Sequence, residues 1–129
     1  MDNLSRKVIK CKNSIVFLRD DGILQIEIND DTYFDINDAK ELIAAAGIIG
    51  KGQKFLNLII AGKGVLVDAE ARQLSSSNEG AIYKLADAFV INSLAQQLIA
   101  NFIIKAQKPP VPTSFFKDRA KAIEWLRSL

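Results

Sequence analysis

Two Gly-Lys-Gly triplets, Gly50-Lys51-Gly52 and Gly62-Lys63-Gly64, are the residues that come nearest to phosphate chemistry by type and spacing. A nucleotide P-loop needs a glycine, four further residues, then Gly-Lys followed by Ser or Thr, so that backbone amides surround the phosphates and a hydroxyl meets magnesium. Lys51 follows Gly47 and Gly50 at the wrong spacing, and glycine occupies the hydroxyl position after both lysines. Both triplets therefore read as turns. An anion site at the second stays open, because open α/β sheets bind ligands beyond the carboxyl ends of their strands. Ser75-Ser76-Ser77 could accept a phosphate, which would add about −1.5 to −2 charges. These serines follow a short helix, where negative charge is disfavoured. The pairs Asp20-Asp21 and Asp30-Asp31 could share acid and base roles if their surroundings split their pKa values. Beside Gly22 and Asn29, however, Asp serves the backbone of turns. Asp68 and Glu70 have an equally ordinary role in a first helical turn.

Composition narrows the chemistry further. The chain has 129 residues, is 49% hydrophobic and 25% charged, and carries a formal charge of +2, which is the profile of one globular domain. It contains no histidine, so Ser-His-Asp and Cys-His catalysis are excluded. Cys11 is alone, which leaves no intrachain disulfide or thiolate cluster and suits a reducing cytoplasm. No catalytic residue, metal or cofactor is expected. Arg6, Lys7, Lys10 and Lys12 form the densest basic group, without the interleaved aromatics of a nucleic-acid surface. MDNLSRKVIK lacks the apolar core of a signal peptide. Ala88 to Ala106 is apolar but holds Asn92, Ser93, Gln96, Gln97 and Asn101, a costly set for a bilayer, so it reads as a buried strand and helix.

The elements that would position any site follow from the pattern. SIVFLR and ILQIEI, around Asp20-Asp21-Gly22, read as a β-hairpin. Asp35 suits an N-cap, with Ile36, Ala39, Leu42, Ile43 and Ala46 at helical spacing behind it and Gly47 and Gly50 near the end. FLNLIIA is apolar almost throughout, as in a parallel strand covered on both faces. Asp68 to Leu74 reads as a short helix that Ala81 to Leu85 could resume, and AFVI as a second buried strand. Ser93 with Gln96 fits a capping box, ahead of an apolar stripe of Leu94, Ala95, Leu98, Ile99, Phe102 and Ile103 that core packing would explain. The same stripe could instead line a pocket for an apolar ligand. Pro109, Pro110 and Pro112 force an extended passage before a last helix capped by Asp118, with Ala122, Ile123, Leu126 and Leu129 inward and Trp125 at the margin. After the hairpin, strands and helices alternate, which implies parallel crossovers and one α/β domain with a mixed sheet over residues 1–129, the first twelve being an N-terminal extension.

The ordered set of IVFLRDDGILQIEI, FDINDAKELI, FLNLIIA, AFVI with NSLAQQLIANFIIK, and SFFKDRAKAIEWL resembles the SpoIIAA-like, or STAS-like, superfamily of bacterial regulatory domains. The resemblance runs from about Ser14 to Leu129 and is sharpest at the Phe, acidic, Ala, Trp-Leu ending. It implies a SpoIIAA-like α/β domain, with about four or five strands and about four helices, in a cytoplasmic bacterial protein. It also implies a non-catalytic regulatory module that binds another protein. In the anti-sigma factor antagonists of that superfamily a phosphorylated Ser or Thr opens the helix after the central strand. Ala61 to Arg72 holds neither residue, and Ala69 follows the capping Asp68. The surface the family uses for partners corresponds here to Gly62, Lys63, Gly64, Asp68 and Arg72. A homodimer is a further expectation, and lipid-transfer relatives leave a small apolar ligand as the alternative.

Overall fold

A computed structural model describes residues 7–129. Arg6 and the first half of the expected extension lie outside the described residues. Within that extension, Val8–Lys10 forms an edge strand, β1, antiparallel to β2 (Ser14–Leu18). β2 turns into β3 (Leu24–Ile28) through Gly22, whose φ of 84° is the left-handed geometry glycine tolerates. β3, β5 (Phe55–Ala61), β7 (Lys84–Val90) and β8 (Thr113–Phe116) then run parallel, giving one six-stranded sheet in the order β1-β2-β3-β5-β7-β8. Two residues each of β4 (Tyr33–Phe34) and β6 (Leu66–Val67) make a second, parallel pair. The main sheet therefore exceeds the expected four or five strands by β1, which the N-terminal segment adds at one edge, while β8 after the Pro-rich passage forms the other.

The α/β layering follows from alternation along the central strands. One face carries Val16, Leu24, Ile26, Ile28 and Ile59, covered by α1 (Ile36–Ile49) and α2 (Ala69–Ser75). The other carries Ile23, Leu58, Ala86 and Ala88 under Ala122 and Leu126 of α4 (Arg119–Arg127). Asp35 and Asp38 close a reciprocal capping box on α1, with each carboxylate accepting the other's backbone N–H at 3.0 Å. Asp38 also accepts from Asn13 Nδ2 at 2.9 Å, which ties the cap to the β1–β2 turn. Asp118 caps α4 through the Ala120 amide. Trp125, half-buried at the margin as expected, packs on Phe116 with ring centroids 5.7 Å apart, while Leu129, expected inward, is exposed.

Two elements differ from the periodicity. Ala81–Leu85 does not resume α2. A Cβ on Gly80 would lie 2.1 Å from the Leu74 carbonyl, so the chain folds back tightly there and enters β7 at Lys84. The larger difference is α3 (Leu94–Phe102). Its buried residues are Gln96 and Ala100, while Leu94, Leu98 and Phe102 are 76%, 62% and 51% exposed. Gln96 is the cause. Its Nε2 donates to the carbonyls of Gly62 at 3.2 Å and Val65 at 3.0 Å, and its Oε1 accepts from the Asn92 amide at 2.8 Å. This polar anchor turns the helix so that most of its apolar stripe faces out. It also replaces the expected box, since the Gln96 side chain serves Asn92 and not the capping Ser93.

Candidate functional site

The Gly62-Lys63-Gly64 loop follows the carboxyl end of β5 and is packed against the Asn29–Asp31 turn. A Cβ at Gly62 would sit 2.5 Å from the Ile28 carbonyl, so only glycine fits without a shift. The Lys63 amide donates to Asp30 Oδ1 at 2.8 Å, and the Lys63 carbonyl accepts from the Asp31 amide at 2.7 Å. With Asp31 Oδ1 beside Gly64 as well, a phosphate here would meet two carboxylates and an amide already engaged. The other expected surface residues divide. Asp68 caps α2 and accepts the Tyr33 hydroxyl at 2.8 Å; that hydrogen bond to a carboxylate pushes the Tyr33 phenol above its ordinary pKa. Arg72 turns inward, donating to the Val67 carbonyl and lying 5.7 Å over the Phe102 ring. Gly62 is thus tied to α3 through Gln96 and Arg72 through Phe102, whereas Lys63 and Gly64 stay exposed.

Beside the π-helical turn that continues α3 (Ile103–Gln107), the sheet and the helices do not close. A cavity of about 120 Å³ remains. Its walls are Ile26, Ile28 and Ile59 from the sheet and Leu42, Ile43 and Ala46 from α1, with Ile103 and Pro109 on the strap side. Its floor is polar. Lys84 Nζ lies 2.6 Å from Asp87 Oδ2 and donates to the Ser75 carbonyl at 3.0 Å. Asn57 Nδ2 donates to Asp87 Oδ1 at 3.1 Å.

A bulge makes this floor. Phe55 pairs with Lys84 but Leu56 pairs with Ala86, so Leu85 is squeezed out and exposed, and Lys84 comes to the same face as Asp87. A regular strand would put residues three apart on opposite faces. Among the described residues, Asn57 Oδ1, Arg72 Nε and Gln107 Oε1 are buried without a hydrogen-bond partner. Asn57 and Arg72 both line the cavity. Each such atom costs about 1–3 kcal/mol if left unpaired.

The arrangement is suited to holding a molecule. Asp87 is neutralised by Lys84, and none of the acidic turn residues faces the cavity. Asp21 is instead clasped by Arg19 and Arg127. Partial burial would raise its carboxyl, but the hydrogen bonds from Arg19, the Ile23 amide and Arg127 outweigh this and hold it below the usual range. No group of His, Cys, Asp and Glu among the described residues is placed to hold a metal ion. Ser75 and Ser76 line the cavity beside Lys84, and Ser77 is committed to the Leu74 carbonyl. Sequence reasoning passed over Asn57, Lys84 and Asp87. The available signal was one polar residue inside each apolar strand, Asn57 in FLNLIIA and Asp87 in KLADAFV, but their convergence depends on the bulge.

Residues 16–129 match the family model described as Domain of unknown function (DUF7793). The chain belongs to that family. No curated protein matches it. Among solved structures, an uncharacterized protein of the DUF3478 family from Shewanella loihica PV-4, with a SpoIIAA-like fold, aligns over 95% of this chain and 92% of its own. The TM-score is 0.55 at 12% identity. This DUF7793 chain is therefore a divergent member of the SpoIIAA-like fold. A protein of unknown function from Arthrobacter sp. FB24 aligns over 94% of this chain and 98% of its own at 18% identity, with a TM-score of 0.32. No helix among the described residues is long and apolar enough to cross a membrane.

Proposed function

We propose that this protein is a non-catalytic regulatory module that docks a protein partner through the outward stripe of α3. The observation that carries this is the exposure of Leu94, Leu98 and Phe102 at four-residue intervals, one above another on a single helical face about 12 Å long. An apolar row of that length fits the apolar face of an amphipathic helix on the partner. Gln96, on the opposite face, holds α3 to the Gly62–Val65 loop and so keeps this stripe outward. The absence of histidine and the neutralised cavity carboxylate support a binding role over a catalytic one.

The test is crosslinking in the bacterial host from a photoreactive residue at position 98, repeated with Leu94→Asp. A single partner protein that crosslinks only in the parent, with the crosslink mapped to a helix, supports the reading. Crosslinking only to a second copy of this chain replaces the partner by a homodimer. Crosslinking that Leu94→Asp does not change overturns the α3 surface. The cavity favours a second reading, retention of a small, mostly apolar ligand, and the two roles are compatible because the π-helical turn that continues α3 gives Ile103 to the cavity wall.

A further inference from the structure

We propose that the helix docked on α3 is acidic at the end that meets Phe102, with its carboxylates on Lys105 and Lys108. This claim rests on the α3 docking reading above and adds the charge of the partner. The exposed row does not stop at Phe102. Ile104 is 46% exposed in the π-helical turn, and Lys105, seven positions after Leu98 and three after Phe102, continues the same face. Lys108 ends the turn in a left-handed conformation. Both lysines are exposed, and neither forms an ion pair among the described residues.

The charge around the row is of one sign and lies at one end. No acidic residue occurs between Asp87 and Asp118, so lysines are the charged residues of this whole stretch. Arg72 adds a further cation from α2. Its guanidinium lies 5.7 Å from the Phe102 ring centroid, with the Val67 carbonyl as its hydrogen-bond acceptor. Asp68, four positions before Arg72, is taken up by the Glu70 amide and the Tyr33 hydroxyl. The Leu94 end is different. Gln97 and Asn101 flank it and bond each other at 3.1 Å, so that end is polar but neutral. A lipid surface favours basic residues along the whole polar face of a helix, whereas here the cations gather past Phe102. That pattern suits a partner helix with one neutral and one acidic end, whose carboxylates also fix its direction on α3.

The experiment titrates the full chain with three synthetic peptides, stapled into helices, that share a leucine row at four-residue spacing and carry Glu, Gln or Lys beside it at one end. The amide NMR signals of Leu98 and Lys105 report where each binds. The Glu peptide is expected to bind about fivefold more tightly than the Gln peptide, the size of two exposed ion pairs, and the Lys peptide more weakly than both. At about 1 M salt, where the screening length is about 3 Å, the three should converge. Lys105→Glu/Lys108→Glu should reverse the order, and Leu98→Asp, a change at an exposed position, should abolish all binding. Equal binding of the three peptides, lost in Leu98→Asp, overturns the acidic partner while the α3 docking surface stands. No binding of any peptide, or binding that Leu98→Asp leaves intact, overturns both. Flotation of the chain with phosphatidylglycerol vesicles that Lys105→Glu/Lys108→Glu removes, without peptide binding, assigns the face to a membrane and likewise overturns both.

Discussion

Replacing Lys84 by Met should cost the protein a large part of its stability, and the structure says how much should be recovered by a second change. Lys84 and Asp87 are 8% and 4% exposed, with Nζ and Oδ2 2.6 Å apart. Lys84→Met removes the cation and leaves the buried Asp87 carboxylate with the Asn57 amide as its side-chain donor. Breaking a buried ion pair from one side costs about 3–5 kcal/mol, because the remaining charge is desolvated and uncompensated. The Ser75 carbonyl also loses its Lys84 donor, within the same range. For a domain of this size, that corresponds to a fall in Tm of about 10–20 °C. The double variant Lys84→Met/Asp87→Leu removes both charges and keeps apolar volume, which is often near neutral. Here it leaves Asn57 Nδ2 without its acceptor, a residual cost of about 1–3 kcal/mol, and the Ser75 carbonyl without its donor, as in Lys84→Met, a cost common to both variants. The double variant should therefore be more stable than Lys84→Met by roughly 2 kcal/mol. Urea denaturation of the four proteins of the cycle measures this directly, given two-state unfolding of a single domain. A coupling below about 0.5 kcal/mol, the range of exposed pairs, would refute the reasoning. It would mean that water reaches the pair and that the cavity floor is open.

Further expectations concern the surface and the titrating groups. Leu98→Asp should change the urea unfolding free energy by no more than about 0.5 kcal/mol, as for other surface changes, whereas Leu58→Ala, fully buried under α4, should cost about 2–5 kcal/mol; equal costs would place Leu98 in the core. Asp21 has a folded pKa below its unfolded value, so its contribution is present above the unfolded pKa near about 3.9 and is lost as pH falls through the folded one. Asp21→Asn should therefore lower stability at neutral pH and flatten the acid limb of the stability profile, and an unchanged limb would contradict this. The Cys11 thiol is raised chiefly by burial, with Glu41 and Asp38 adding to it against the opposing Ser14 hydrogen bond, so it should alkylate more slowly at neutral pH than a free thiol, as timed with iodoacetamide on the folded chain.

How much was legible can be traced to particular residues. The turn chemistry of Asp20-Asp21-Gly22, the Asp35, Asp68, Ser93 and Asp118 caps, and the apolar runs of β5 and β7 depend on local spacing, so the α/β order and the mixed sheet followed from them. The orientation of α3 did not. Its stripe has core periodicity, but one glutamine bonded to carbonyls more than thirty positions earlier decides which face turns inward. The cavity floor was hidden for a similar reason. Lys84 and Asp87 share a face only because Leu85 is extruded at a bulge, and Asn57 joins them across the sheet from thirty positions away.

By itself, then, the sequence determined the elements, their order and the exclusion of histidine chemistry, since these depend on residue type and on neighbours within a few positions. Tertiary structure alone decided which side chains are unpaired, which apolar face is bare and where a cavity survives. Those properties belong to the distances between strands and helices, and a polar group's need for a partner is set only when packing has shut out water.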